Sequence, residues 1–486
     1  MPTFLNTFVH YILFMKQILT LSFLFIFSET FSQYKIVLEA PQYDSGKAYL
    51  TYHMGKNLNV ADSGIVNSKG TVVFSGDKTL PGGIYSIVFP GRRLTADFFI
   101  DKGQQITIKA DTTKLLEMVV TGSPENVRFQ EYQKFVAQKG PLVQQARRAY
   151  SSATNAADSA KYEAEFKKVN KEINDYRNSI VNNYPESMMA VFLNAMKDPA
   201  MPEKIPVTRQ DSIDNYQYYK NHYWDGITFL DDRILRTPFF IPKMERYYRE
   251  VIPQASDSII ADIDYKLLLA RNAPELFKYM LNWLTDEYIN PKYMGQDAVF
   301  VHLFNKYHSK GLSPWLNERQ MEVITRRAYM QMSNLIGEQA APLDFLDSTG
   351  KAKPLYGLKG DYTVVVFWDP NCGHCKQEMP RIDSLYRAEW KAKNVKIYAV
   401  LTEPHFPEWV KYIKEHDLGD WTHVYQTKEM EEEEKKNNRP SYRQLYDVTQ
   451  TPILYLLDKD KRIIGKKLTF EQINELLKVK EASAKK

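Results

Sequence analysis

The chain has 486 residues, long for one ordinary domain, so about two to four domains are expected. Hydrophobic residues make up 44% and charged residues 25%, a globular balance that excludes a disordered or low-complexity polymer. The net charge of +5 is slight for this length, and no basic stripe interleaves with aromatics, so no nucleic acid is expected as a partner.

Near the N-terminus, Lys16 precedes an apolar run at residues 18–27, followed by Ser28 and Ser32. A basic residue, an apolar stretch and a small residue before a cut after Ser32 read as an export signal over residues 1–32. The run is shorter than the ~20 apolar residues of a membrane span. An uncleaved tether is the alternative, and Met15 is a candidate start because no Lys or Arg precedes it. With no cysteine near residue 32, a lipid anchor is excluded.

Residues 33–122 read as β-structure. Runs rich in β-branched and aromatic residues at 34–38, 48–52, 71–74, 84–89, 97–100 and 105–108 alternate with turn signals at 44–46, 67–70, 81–83 and 90–91. That spacing predicts a small antiparallel β-sandwich or barrel. Residues 123–335 read as a helical middle domain. The stretch 142–184 is polar and free of glycine and proline, and 187–195 and 273–281 are amphipathic with proline near their ends. Tyr216, Tyr218, Tyr219, Tyr223, Tyr247 and Tyr248 are expected to pack between helices rather than to form a ligand surface. His302 and His308 read as ordinary helix residues.

A last domain spans 336–486. Val364, Val365, Val366 and Phe367 form an apolar run without alternation, the pattern of a strand buried on both faces. The run breaks at Asp369, Pro370 and Asn371, and Cys372, Gly373, His374 and Cys375 follow. Beyond them Met379, Ile382, Leu385 and Tyr386 fall at helical spacing. Cys372 thus stands where a strand hands over to a helix, and the unpaired N–H groups and dipole of a helix start favour thiolate over thiol. Zinc would need further Cys or His ligands at short spacing, and the chain has only two cysteines. Haem attachment would need His where Lys376 stands. A structural disulfide would close too short a loop to remove much chain entropy. In an oxidising compartment spare thiols are a liability, and both cysteines of this chain lie in one motif, which favours redox exchange. Further strands are expected at 395–401, 421–425, 453–457 and 462–465, with a helix at 408–416. Thr469 and Gln472 form a capping box for the last helix. The charge run at 429–436 reads as a solvated helix face, or as a segment that tunes access to the site.

The stretch around the cysteines resembles the thioredoxins, and specifically the TlpA/ResA-type thiol-disulfide oxidoreductases exported by bacteria. Phe367, Trp368, the C-x-x-C pair and Pro380 carry the likeness, and residues 446–458 carry a second match that includes Thr451 and Pro452. Residues 46–50, Asp62, Ser63 and 80–85 resemble the β-domain of unassigned function that precedes thioredoxin domains in exported Bacteroidetes-type proteins. Together these imply a multidomain protein: an N-terminal antiparallel β-sandwich, an α-helical middle domain and a C-terminal α/β thioredoxin-like fold.

The implied location is the periplasm or cell envelope. The implied partners are protein thiols and disulfides, with an upstream membrane or periplasmic electron donor. No metal is expected, and no cofactor beyond the redox-active Cys372–Cys375 pair. Cys372 is expected to attack and Cys375, further into the helix, to resolve. The resemblance places Thr451 and a cis Pro452 opposite them; an ordinary trans proline opening the next strand is the alternative. Trp368 and Pro380 are expected as structural neighbours. His374 either tunes the Cys372 pKa or is a plain loop histidine, and Glu378 either matches the family's Glu or is a surface residue. Val366 stands where thioredoxins proper carry a buried Asp, so their proton handling does not transfer. A peroxiredoxin would need Thr where Asp369 stands. A peptide- or glycan-binding envelope protein, with the last domain as accessory scaffold, is the remaining alternative.

Overall fold

The computed structural model describes residues 32–202 and 204–484. The export-signal reading of residues 1–32 lies, Ser32 apart, outside the described residues. The chain divides into two compact units, one up to Tyr247 and one from Tyr248, so the helices of residues 123–335 are shared between them.

In the first unit, β1 (Tyr34–Glu39), β2 (Lys47–Met54), β3 (Asn57–Ile65), β4 (Thr71–Gly76), β5 (Gly83–Val88), β6 (Thr95–Ile100), β7 (Gln105–Lys109) and β8 (Val119–Thr121) form two four-stranded sheets. Their orders are β4-β1-β7-β8 and β3-β2-β5-β6. Alternation decides the faces: Ile36, Leu38, Leu50, Ile87, Phe98, Ile106 and Ile108 point into one shared core. All pairs are antiparallel except β1 with β7, which run parallel because β1 is inserted between β4 and β7. Strands β3 and β8 have no counterpart among the sequence-predicted runs. Both are edge strands, β3 polar and exposed and β8 three residues long, so neither shows the apolar alternation of the others.

Helices α1 (Pro124–Ser152), α2 (Ala156–Asn183) and α3 (Met188–Met196) cover the outer side of β6. Phe99 points outward to Phe129 and Phe192, with ring centroids at 4.4 and 5.6 Å. Burying each such ring contributes roughly 1.5–3 kcal/mol. Asn126, fully buried, accepts from the Phe99 N–H at 2.7 Å and donates to the Phe99 carbonyl at 2.8 Å, satisfying backbone groups on the free edge of β6. The polar stretch 142–184 forms two helices. The break needs neither glycine nor proline, because Asn155 Oδ1 accepts the Asp158 N–H at 2.9 Å and starts α2 anew. Tyr223 is buried against Tyr247 at 5.0 Å, while Tyr218 stays exposed.

The second unit opens with α4 (Ser256–Leu269), α5 (Pro274–Tyr288), α6 (Asp297–Lys306) and α7 (Glu318–Met332). His308 is a satisfied core histidine: its ring nitrogens meet Thr285 Oγ1 at 2.8 Å and Ser313 Oγ at 2.9 Å. A seven-stranded sheet follows, built from β9 (Asp344–Leu346), β10 (Ala352–Pro354), β11 (Tyr362–Trp368), β12 (Val395–Leu401), β13 (Thr422–Tyr425), β14 (Ile453–Asp458) and β15 (Ile463–Lys466). Its order is β10-β9-β13-β12-β11-β14-β15, with β13, β12 and β11 parallel and the flanking pairs antiparallel. Val364, Val366 and Trp368 enter one core while Val365 and Phe367 enter the other, the two-sided burial expected of that run. Between and after the strands lie α8 (Gly373–Leu385), α9 (Phe406–Glu415), α10 (Lys428–Lys436), α11 (Tyr442–Leu445) and α12 (Phe470–Ala484). Thr469 and Gln472 form the expected capping box, with bonds of 3.0 and 3.3 Å.

Buried charges tie the helices of this unit to its sheet. Lys466 on β15 meets the Asp297 carboxylate and donates to Asn334 O and Oδ1, both at 2.8 Å. Arg327 on α7 grips both oxygens of buried Asp447 at 2.7 Å, and Lys467 pairs with the same carboxylate. Among the described residues no helix is long and apolar enough to cross a membrane.

Candidate active site

Strand register brings the predicted residues together. β14 runs antiparallel to β11 with Ile453 opposite Phe367, so the end of β11 and the start of β14 share one edge of the sheet. β12 runs parallel to β11 with Leu401 beside Trp368, and the Thr402 N–H donates to the Trp368 carbonyl at 3.0 Å. Three loops therefore converge where ligand sites of α/β sheets form, outside the carboxyl ends of parallel strands. They carry Cys372, His405 and Thr451.

Cys372 is the N-cap residue of α8, in extended backbone conformation, with no side-chain cap bond. Its N–H donates to the Asp369 carbonyl at 3.2 Å and its carbonyl accepts from Lys376 at 3.0 Å. The sulfur is half-buried and lies 3.4 Å from the Thr451 carbonyl. The Thr451–Pro452 peptide is cis. One turn along the helix, Cys375 is fully buried, and both cysteines are free thiols.

The two sulfurs differ in acidity for separable reasons. Burial opposes charge on Cys372, but hydrogen bonds from the Thr451 hydroxyl, from the Cys375 N–H and thiol and from the His374 N–H outweigh it, and its pKa falls below the ordinary thiol value. Cys375 is dominated by burial and is pushed up to about 12. Thiolate is thus favoured at Cys372 and thiol at Cys375.

His374 is exposed on the first turn of α8, and it is its backbone N–H that reaches Cys372. Glu378 is half-buried, and its carboxylate meets Arg381 Nη1 at 3.1 Å. Trp368 is fully buried beneath the site. Pro380 lies within α8, where its missing N–H leaves one helical bond unmade.

Sequence reasoning missed one pair. His405, the N-cap residue of α9, places Nδ1 2.8 Å from Asp369 Oδ1, and that hydrogen bond raises the imidazole pKa above its ordinary value. Asp369 in turn offers its backbone N–H to Cys375. The available signal was positional: Asp369 follows β11 as His405 follows β12, and parallel neighbours set those loops side by side.

Residues 336–466 match the AhpC/TSA family, and residues 34–129 match a domain of unknown function, DUF4369. The thiol-disulfide oxidoreductase ResA of Bacillus thuringiensis subsp. konkukian is 28% identical over 146 residues, covering 29% of this chain and 77% of that protein. Among solved structures, a thioredoxin-like protein from Bacteroides caccae is 21% identical with a TM-score of 0.44, covering 58% of this chain and 98% of its own. A thiol:disulfide interchange protein from a Bacteroides species is 27% identical with a TM-score of 0.26, covering 30% of this chain and 91% of its own.

Proposed function

We propose that the chain, whose residues 336–466 match the AhpC/TSA family, is an exported thiol-disulfide oxidoreductase exchanging disulfides in protein substrates through Cys372-Gly373-His374-Cys375. The observation that carries this reading is the asymmetry of the sulfurs: Cys372 is half-buried at the start of α8, 3.4 Å from the Thr451 carbonyl, and Cys375 is fully buried one turn on. Export is supported by the basic, apolar and small segments of residues 16–32.

The Cys372 thiolate attacks one sulfur of a substrate disulfide; that S–S bond breaks and the other substrate sulfur leaves as thiolate. Cys375 then gives up its proton and attacks Cys372 Sγ, releasing the second substrate thiolate. The substrate gains two electrons and the pair becomes a disulfide, which a dithiol donor outside the chain must reduce. Thr451 and the first-turn N–H groups steady the attacking thiolate, and Pro452 closes the wall opposite it.

The test is trapping. Cys375→Ser leaves the attacker without a resolver, so mixed disulfides with protein substrates accumulate on Cys372, while Cys372→Ser accumulates none and both variants lose insulin reduction. Equal trapping by the two variants, or none by Cys375→Ser, contradicts the reading.

A further inference from the structure

The loop after β12 grips the exit of β11 at two successive residues. Thr402 donates to the Trp368 carbonyl, from its N–H at 3.0 Å and from its hydroxyl at 3.1 Å. His405 Nδ1, three residues on, meets the Asp369 carboxylate at 2.8 Å. The loop itself is braced. The His405 N–H donates to the Glu403 carbonyl at 2.7 Å, and Arg443 donates to the Glu403 carboxylate at 2.8 Å. His405 is the N-cap residue of α9 yet makes no side-chain cap bond; its ring turns to the neighbouring loop instead. Asp369 is 6% exposed, and a buried carboxylate is costly unless it is paired. Alanine would close the same turn without that cost. The turn from Asp369 to Asn371 has little else to hold it, since Pro370 offers no N–H and Asn371 is exposed. Among the described residues, the bond to His405 is the one side-chain hydrogen bond that this turn makes. The Asp369 carbonyl then accepts the Cys372 N–H at 3.2 Å. Two hydrogen bonds, through one residue, therefore lead from the His405 ring to the backbone of Cys372.

We propose that His405 is a positioning residue for the attacking cysteine: by holding the Asp369 carboxylate it fixes the turn that sets Cys372 at the start of α8. The inference rests on the exchange reaction proposed above and concerns its first step. Cys372 takes its thiolate stabilisation from first-turn N–H groups, and its sulfur lies 3.4 Å from the Thr451 carbonyl. Such hydrogen bonds weaken steeply once alignment is lost. A turn free to shift would carry the sulfur out of line with its donors, and the thiolate would lose their support. His405 itself touches no reacting atom and exchanges no proton in the step. Facing a carboxylate, Nδ1 carries the hydrogen in the neutral ring as in the imidazolium, so the clamp needs a donor rather than a charge. The charged groups around the ring are Asp369 opposite it, Glu403 and Glu408 on its own segment, and Arg443 on α11, which reaches Glu403.

The test compares His405→Ala, His405→Asn and His405→Gln in the full chain carrying Cys375→Ser, so that only the first step is read. Asparagine sets an amide N–H where Nδ1 stands; glutamine carries it one bond further. Attack of Cys372 on dithiobis(nitrobenzoate) is timed by release of the coloured thiolate at neutral pH. It slows roughly tenfold in His405→Ala, a loss on the scale that small misplacement of a reacting group gives. The midpoint of Cys372 alkylation rises with it by about one pH unit. His405→Asn restores both readouts and His405→Gln restores neither. Asp369→Ala slows attack as much as His405→Ala, and the double variant adds nothing further, because the two residues act as one clamp. Should Asp369→Ala misfold, the contrast between asparagine and glutamine decides alone. An unchanged rate in His405→Ala, slowing that asparagine leaves uncorrected, or additive losses in the double variant overturn the proposal. If Cys375→Ser traps substrate while His405→Ala attacks at the parent rate, the exchange reading stands and only the role of His405 falls. If the parent attacks no disulfide, both fall.

Discussion

The two units solve the same packing problem with different chemistry. In the first, helices meet the outside of a sandwich through aromatic rings and one amide, Asn126, which answers the backbone of β6 in kind. In the second, helices before residue 337 are held by largely buried charge pairs, Lys466 with Asp297 and Asp447 with Arg327. A neutral amide contact tolerates loss of one partner better than a buried charge does, because an orphaned charge keeps its whole desolvation cost. The second unit also holds both cysteines. Asp447 lies four residues before Thr451, so the charge pairs anchor the segment that faces Cys372. The compact unit that holds both cysteines begins at Tyr248.

A matched pair of variants breaks this comparison most visibly. Asp297→Ala strands Lys466, whose pKa burial already lowers, and should destabilise the second unit by about 3–5 kcal/mol. Asn126→Ala should cost the first unit roughly 2–4 kcal/mol, since the Phe99 N–H and carbonyl both lose their partner. Hydrogen exchange read by mass spectrometry in urea assigns each loss to its unit. Loss spread over both units, or a larger effect from Asn126→Ala, counts against the contrast.

Much of the second unit was legible because its signals are local. An apolar run without alternation, a Pro-containing break, two cysteines and a helical repeat place the strand, the turn and the reactive sulfur within about twenty residues. Thr451 and Pro452 were reached only through resemblance, since no periodicity places them beside Cys372. The Lys466–Asp297 pair was not legible at all, and the Asp369–His405 pair showed only through the side-by-side ends of two parallel strands. Each joins elements far apart in sequence, and a lone His or Lys gives no sign of what it will face. Strand β3 and the break before Asn155 escaped for the opposite reason: both are polar, local features whose cause is an edge position or a side-chain cap rather than hydrophobic pattern.

A pH experiment sharpens the comparison at smaller scale. His423, buried with Nε2 2.9 Å from the Leu418 carbonyl, has its imidazole pushed down to about 4 by burial, as does His308 in the same unit. The unfolded chain protonates these rings near pH 6.5 and the folded unit resists until about 4, so their contribution is complete above pH 6.5 and is lost as pH falls towards 4. His423 accounts for up to about 3 kcal/mol of that slope. Urea titrations between pH 7 and 4 should show the second unit losing stability, with a flatter profile in His423→Gln. An identical slope in the variant would mean that the ring is not held neutral by the fold.

The central claim is that one helix start divides the two sulfurs into attacker and resolver. The most direct measurement is the pH dependence of alkylation at each cysteine in the reduced protein, resolved by mass spectrometry. Cys372 should react with a midpoint below the ordinary thiol value of about 8.5, and Cys375 should stay protected until close to pH 12. A shared midpoint, or a Cys375 that reacts at lower pH than Cys372, would contradict the account.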